Sequence, residues 1–270
     1  TDVRAPRGVR ARQASPATRR GGGAGLRGGP AGSPVPLLDA LTDRRSHHRS
    51  VATCSVVFRL TRPSFASIAA ILASQQNAPF TYPDVGATRA ATPRTGYPPA
   101  GYTIDRRRIL LGTGADTFAR AVAALRAWRM TSLGWAAIHP PAAPIAPGTV
   151  VAMVVRHHGL WSMHACRIVY TVDEEQDDVR RVAFAYGTLP AHAAIGEERF
   201  AVEWDRADDR VWYDLAAFSR PAHPLMRLAR PLARRLQRRF GHDSARAMRE
   251  AVDGTPPAHD RVAHHRGRDG

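Results

Sequence analysis

RVAFAYGTLPAHAAIGEERFAVEW, residues 181–204, contains two strand patterns joined by a loop that holds a Gly, a Pro and a His. In each pattern every second residue faces the same way, and this set is apolar or aromatic except for one acid. Such alternation, rich in aromatic and β-branched residues, is typical of strands with one buried face. The stretch therefore predicts two half-buried strands whose shared apolar set is Val182, Phe184, Tyr186, Phe200, Val202 and Trp204.

The one acid in this apolar set is Glu198. A carboxylate on a buried face needs a partner or a function. One interpretation is a structural ion pair with Arg220 or Arg156 that stabilises the sheet. The other is a general acid or base whose pKa is raised by desolvation, with His192 as its partner across the loop. Glu198 and His192 are thus the catalytic candidates.

The same register predicts a cavity wall. Side chains two apart on a strand share a face, so Glu198, Tyr186 and Phe200 are expected to line one cavity. Alternatives remain open for two of the candidates, since Tyr186 is also consistent with a core tyrosine and His192 with a turn residue bonded to backbone carbonyls. The full predicted set of ligand-binding residues is Tyr186, Thr188, His192, Glu198 and Phe200.

The charge of the chain is concentrated in two segments. The formal net charge of the 270 residues is +16, and every basic residue is Arg. Residues 1–50 and 223–250 carry most of the excess, and residues 51–222 are close to neutral. Arg abundance alone is weak support for a nucleic-acid partner, because so complete a bias is typical of a coding-composition effect. Residues 1–50 also lack aromatics for base stacking, which favours a passive tail. Nucleic-acid association through the Arg-rich last helix and tail is therefore the least favoured function.

The two cysteines, Cys54 and Cys166, are too few for a disulfide framework and lack the spacing of metal ligands. Both are expected to be reduced in a cytoplasmic protein. No apolar run reaches the roughly 18 residues of a membrane span. Adjacent His157 and His158 point to opposite faces of a strand, so no metal site is predicted. No cofactor is predicted either, since phosphate-loop and dinucleotide motifs are lacking.

Periodicity divides the remaining chain into elements. Helices are predicted at 65–74, with Ser64 as its cap, at 117–130 behind Asp116, and at 224–249. Residues 80–89 are expected to be irregular, and the acidic run 173–178 to be a hairpin loop. Strands are predicted at 105–111, 135–139, 149–156, 160–172, 181–186, 197–204 and 211–219.

Composition divides the chain into three predicted segments. Residues 1–50 are expected to be a disordered leader rich in Arg, Gly and Pro, because they cannot bury enough apolar surface to offset their ordering entropy. Residues 51–250 are predicted to form a single α+β domain, and residues 251–270 a disordered tail.

The element order predicts the layout of this domain. A long amphipathic C-terminal helix needs an apolar surface, and a strongly bent antiparallel sheet of about seven strands offers one. This arrangement resembles the helix-grip, or START-like, fold, whose members commonly hold an apolar ligand between helix and sheet.

Six motifs, in order, carry a second resemblance: FTYPDVGATR (80–89), WRM (128–130), CRIVY (166–170), FAYGTLPAH (184–192), GEERF (196–200) and AFSRPAHPL (217–225). They are similar to the bacterial and plant domain-of-unknown-function family nineteen-ninety over about residues 78–250. One small departure is Ala191, where the family has Gly. No activity is established for that family, so the resemblance implies a domain and no reaction.

Three functions are consistent with these observations. The favoured one is the binding of a small apolar or amphipathic ligand in a cavity between the sheet and the C-terminal helix. The second is an enzyme of cyclase, isomerase or hydrolase type that uses acid–base residues of the same cavity. The third is the nucleic-acid association above. The sequence leaves the oligomeric state and the identity of the ligand open.

Overall fold

The computed structural model describes residues 58–90, 101–222 and 230–254. They contain three α-helices: α1 (Phe65–Gln75), α2 (Gly114–Arg126) and α3 (Arg230–Val252). Short 3₁₀ turns occupy Ala87–Ala90 and Arg129–Thr131. The strands are β1 (Thr103–Thr113), β2 (Ala136–His139), β3 (Val150–His157), β4 (Leu160–Gln176), β5 (Val179–Thr188), β6 (Ala194–Asp205) and β7 (Arg210–Pro221). The predicted leader, Cys54 and nearly all of the predicted tail lie outside the described residues.

The seven strands form one sheet in the order β1-β7-β6-β5-β4-β3-β2. Every neighbouring pair is antiparallel. Strands β2 to β7 follow one another as a meander, whereas β1 crosses over to pair with β7 at the far edge. With α3 packed on the sheet, this confirms the predicted α+β class and the helix-grip layout.

One face of the sheet, here called the inner face, is covered by α2 and α3. The alternation within residues 181–204 fixes which strand residues point there. Phe184 and Phe200 lie with ring centroids 5.4 Å apart, and both are almost fully buried. The helices contribute small and aliphatic side chains to the same core: Ala121, Val122, Leu125, Ala245, Met248 and Val252.

The opposite face, here called the outer face, is covered by α1 and by residues 80–90. Ile68 of α1 packs in a small cluster with Ala152, Val154 and Met163 of β3 and β4. Ser64 caps α1 as predicted, accepting a hydrogen bond from the Ser67 amide. Because both faces are covered, most residues of a central strand such as β6 are buried whether they point inward or outward.

The acidic run 173–178 is mostly strand, so the prediction of a hairpin loop there is wrong. β4 continues to Gln176, and the turn consists of two residues, with Asp177 in the left-handed region at φ 52°. The strand persists because its acids meet arginines of neighbouring segments. Glu174 pairs with Arg181 at 2.9 Å, and Glu175 pairs with Arg206 at 2.5 Å.

The second helix differs from its prediction at both ends. α2 begins at Gly114 rather than behind Asp116, and it ends at Arg126. Trp128, expected within the helix, has φ 56° and is buried. Its indole Nε1 donates to the Ala143 carbonyl at 2.9 Å, so tertiary burial of this ring overrides the helical pattern. For α3, the predicted first turns from 224 to 229 lie outside the described residues.

Candidate functional site

A cavity of about 500 Å³ lies between the inner face of the sheet and α3. This volume falls in the range of roughly 300–1,000 Å³ that small-molecule sites occupy. Strands contribute Met153, Val155 and Leu215 to its wall, and Trp135 lies beside them. The helix contributes Leu232, Leu236 and Phe240. Most of the wall is therefore apolar.

The first polar group in the wall is the predicted Glu198. Its side chain points to the inner face of β6, as the register argument required, and lines the cavity. The hydroxyl of Tyr186, its cross-strand neighbour on β5, donates to Glu198 Oε2 at 2.6 Å. No ion pair reaches Glu198 from any residue that the structure describes. The arginines expected to pair with it stack on aromatic rings instead, Arg220 over Tyr102 and Arg156 over Trp161.

Burial changes the acidity of this pair. Desolvation raises the pKa of Glu198 from 4.5 to about 7, and the charge of Asp105 adds to the effect, while the Tyr186 hydrogen bond opposes it. Burial and the neighbouring carboxylate raise the pKa of Tyr186 well above 10.0. By exposed area Glu198 is only half-buried, because its carboxyl faces the cavity. At neutral pH the carboxyl is therefore divided between its protonated and ionised forms.

His192 also lines the cavity, in the loop between β5 and β6. Its Nδ1 lies 3.0 Å from the Ala194 carbonyl oxygen and 2.9 Å from the Ala194 nitrogen, the backbone-bonded geometry expected of a turn histidine. Its ring centroid is 4.9 Å from that of His164. Burial lowers the pKa of His192 to about 4 and that of His164 well below its usual value. Both imidazoles are therefore neutral at pH 7.

The remaining predicted residues lie in two different places. Thr188 lines the cavity, but its hydroxyl accepts a hydrogen bond from the Gly196 amide at 3.0 Å and lies 2.6 Å from the Thr81 hydroxyl. Phe200 does not reach the cavity. It is fully buried behind Tyr186, with the two ring centroids 5.4 Å apart. The expectation that Phe200 lines the cavity is thus corrected, because β6 runs under the helices at that point.

Polar contacts hold α3 over the cavity. Arg234 donates two hydrogen bonds to Asp105 of β1, at 2.5 and 2.9 Å. Gln237 donates to the Ser219 hydroxyl of β7 at 2.7 Å. Further along the helix, the Ser244 and Tyr213 hydroxyls are 2.7 Å apart. Through these contacts α3, which forms one wall of the cavity, is bound to two strands, β1 and β7.

Several arginines of α3 are committed within the molecule. Besides Arg234, Arg239 stacks over Trp135 and pairs with Asp243 at 3.4 Å. Arg249 donates to the Leu110 carbonyl at 2.9 Å. Part of the Arg-rich side of this helix is therefore engaged in intramolecular contacts. The sequence pattern alone indicated a uniformly charged surface.

Sequence reasoning missed a second carboxylate, Glu197, on the outer face of β6. It is 3% exposed and accepts hydrogen bonds from the Tyr82 hydroxyl at 2.7 Å, the Gly86 amide at 2.7 Å and the Thr88 amide at 2.9 Å. The Thr88 hydroxyl donates to it as well. The segment 80–89 therefore wraps around one carboxylate. The sequence held one indication of this contact, since the motifs FTYPDVGATR and GEERF both belong to the set that carries the family resemblance.

Two further findings concern what the described residues contain. No group of three or more His, Cys, Asp and Glu side chains in residues 58–90, 101–222 and 230–254 is arranged to hold a metal ion. Within those same ranges, every helix is too short or too polar to cross a membrane.

The Glu198→Gln variant should be more stable than wild type at alkaline pH. Because the folded-state pKa of Glu198 lies above that of the unfolded chain, the native state binds more protons, and wild-type stability falls as pH rises from about 4.5 to about 7. Glutamine removes this penalty and keeps an acceptor for Tyr186. We expect a gain of about 1–3 kcal/mol at pH 8 and little difference at pH 4.5, measured by urea unfolding. A loss of several kcal/mol at pH 8 would identify Glu198 as a structural charge.

The chain was compared with known proteins. A family model, Domain of unknown function (DUF1990), matches residues 81–247. A UPF0548 protein from Dictyostelium discoideum is 32% identical over 207 residues, which cover 73% of this chain and 96% of that protein. A UPF0548 protein from Deinococcus radiodurans is 36% identical over 209 residues, which cover 73% of this chain and 99% of that protein.

Two similar solved structures are a norcoclaurine synthase from Thalictrum flavum and a hypothetical protein from Helicobacter pylori. The first has a TM-score of 0.34 at 10% identity, covering 56% of this chain and 93% of that one. The second has a TM-score of 0.36 at 15% identity, covering 64% and 94%. Both scores are under 0.5, so the fold is assigned from strand order and helix placement. The match to the family model spans more than half of the chain and confirms the resemblance carried by the six motifs: the chain belongs to the DUF1990 family.

Proposed function

We propose that this protein binds a small, largely apolar molecule with one polar group in the cavity between the sheet and α3. The observation that carries the proposal is the cavity itself, about 500 Å³ with mostly apolar walls that include the hydrogen-bonded Glu198–Tyr186 pair. Convergent polar groups in an otherwise apolar pocket are typical of ligand sites, where the apolar surface supplies affinity and the polar group sets orientation.

The packing around the cavity favours a ligand-binding site over a packing defect. Protein interiors are close-packed, and voids much larger than a water molecule are few. Here Leu232, Leu236 and Phe240 of α3 face the sheet across open space. The contacts of Arg234 with Asp105 and of Gln237 with Ser219 fasten the helix in this position. An apolar space that is kept open by specific polar contacts is well suited to an exchangeable apolar molecule.

Filling the cavity should abolish binding. Ala233 lies on α3 and lines the cavity, so tryptophan at this position occupies the proposed site. We expect Ala233→Trp to weaken binding of the neutral fluorescent probe 1-aminoanthracene at least tenfold, measured by fluorescence titration. Ala119→Trp is the matched control, because Ala119 is an exposed alanine of α2 outside the cavity lining. Native mass spectrometry of the purified wild-type protein should also show a bound small molecule.

Two results would contradict this function. One is a wild-type protein that neither retains a small molecule nor binds the probe. The other is equal probe binding by Ala233→Trp and Ala119→Trp, with both variants shown to be folded by thermal unfolding, since the probe would then occupy another surface.

A second candidate, acid–base catalysis in the same cavity, is favoured by one observation. The pKa of Glu198 is raised to about 7, which suits proton transfer at neutral pH. The two candidates differ in what happens to the bound molecule. A binding protein releases it chemically unchanged, whereas an enzyme converts it, and mass spectrometry of the molecule before and after incubation with the protein separates them.

A further inference from the structure

We propose that the polar group of the ligand is an uncharged hydrogen-bond acceptor, such as a ketone or aldehyde oxygen, and that the protonated carboxyl of Glu198 donates the hydrogen bond that recognises it. This inference rests on the proposed function, because it assigns the chemistry of a ligand in the same cavity.

The geometry leaves one carboxyl oxygen for the ligand. Tyr186 donates to Oε2 at 2.6 Å. No hydrogen bond from a described residue reaches Oε1, and the side chain lines the cavity. When Glu198 carries its proton on Oε1, Tyr186 satisfies the carbonyl oxygen and the O–H is available to the cavity. A ligand oxygen placed there completes the hydrogen bonding of both groups.

The arginines that line the cavity are Arg106, Arg107, Arg220, Arg234 and Arg238, and none of the described residues forms an ion pair with Glu198. On β1, Asp105 is paired with Arg234 of α3, and Arg107 lies 2.8 Å from the His242 ring nitrogen. Gln237 of α3 is bonded to β7. The other titratable neighbours are neutral at pH 7, because burial raises the pKa of the acids and lowers that of the bases: Cys166, Tyr186, Tyr213, His164 and His192.

This balance disfavours a charged ligand of either sign. An anion would lie beside Glu198 and Asp105, and two guanidinium groups of the cavity wall are already engaged, that of Arg234 with Asp105 and that of Arg220 with the Tyr102 ring. A cation would pair with the ionised form of Glu198, which is only part of the population at neutral pH, and would lie in the field of Arg234 and Arg107. In both cases the ligand charge would also lose its hydration, which costs several kcal/mol even in a relaxed protein site. A neutral acceptor meets none of these costs.

The test is a competition series with one chain length and three head groups. The bound probe 1-aminoanthracene is displaced by 2-decanone, by decanoate and by decylammonium between pH 5.5 and 8.5. We expect 2-decanone to bind most tightly in wild type. Its affinity should fall about tenfold for each pH unit above about 7, since only the protonated fraction is competent.

Two variants test whether protonation of Glu198 controls the affinity for 2-decanone. Glu198→Gln carries a permanent N–H donor and keeps an acceptor for Tyr186, so its affinity for 2-decanone should be constant over the whole pH range. Tyr186→Phe removes a hydrogen bond that lowers the Glu198 pKa, so the midpoint of the pH dependence should move upward. Thermal unfolding confirms that each variant is folded.

Three outcomes would overturn the inference alone. They are a pH-independent affinity in wild type, tighter binding of decanoate, and tighter binding of decylammonium that is lost in Glu198→Gln, the pattern of a cation site. Failure of wild type to bind the probe or any of the three compounds would overturn the proposed function as well, so the two failures are distinguishable.

Discussion

Replacing Glu197 by glutamine should destabilise the protein by about 3–5 kcal/mol. Four donors converge on this carboxylate: the hydroxyls of Tyr82 and Thr88 and the amides of Gly86 and Thr88. Glutamine offers one acceptor oxygen, and its NH₂ group faces donors. Each charge-assisted hydrogen bond contributes roughly 1.5–3 kcal/mol, and a buried donor left unsatisfied costs roughly 1–3 kcal/mol.

The control lies one residue away. Glu198→Gln exchanges the same side chains on the same strand but on the inner face, and it should be neutral or stabilising at pH 8. Urea unfolding gives both free energies, and hydrogen exchange at the Gly86 and Thr88 amides should accelerate only in Glu197→Gln. If the two variants unfold alike, or if these amides stay protected, segment 80–89 is held to the sheet by something other than Glu197.

Gly196→Ala should cost about 3 kcal/mol or more. Gly196 has φ 154°, and an added Cβ would lie 1.9 Å from the backbone oxygen of Phe218 on β7. A backbone atom in a paired strand cannot rotate away, so β6 and β7 would have to separate. Overpacking of this kind typically costs roughly 1–3 kcal/mol or more, and a φ that is essentially confined to glycine adds roughly 1–3 kcal/mol.

Gly134→Ala measures the cost of a positive φ without a steric contact. Gly134 has φ 73°, and a Cβ there would meet no atom within 4 Å. Its cost should stay near 1 kcal/mol, as for an L-residue in the left-handed region. Thermal or urea unfolding of both variants gives the comparison. Equal costs would show that the contact with Phe218 relaxes freely, and that the tight approach of β6 to β7 is unimportant.

Period-two patterns were sufficient to predict the sheet and the direction of Glu198. Alternation fixes a face regardless of what lies opposite, so Val182 and Phe184 could be assigned to the core from sequence. The prediction that the last helix packs on the sheet followed from its apolar stripe. These features are local, and local features can be read from a single chain.

The errors concern residues whose partners lie far away in sequence. Glu197 alternates with apolar residues and therefore resembled a solvent-facing acid. Its donors come from Tyr82 to Thr88, more than a hundred residues earlier, and no periodicity reveals them. The acids Glu174 and Glu175 were misread for a different reason: an acidic run resembles a loop, although it pairs here with Arg181 seven residues later and with Arg206. Phe200 was misplaced because register gives a face but not the position along the sheet where the helices lie.

The crossover that brings β1 beside β7 has a consequence for how the chain assembles. Hairpins such as β4–β5 close short loops, whereas the pairing of Thr103 with Ser219 closes a loop of most of the domain. Loop-closure entropy and non-local pairing make such a step slow. Asp105 on β1 is also the anchor for Arg234 of α3, so the space under the helix is complete only after this step. A molecule bound there would stabilise only the folded chain, and by mass action it would shift the whole folding equilibrium rather than one local opening.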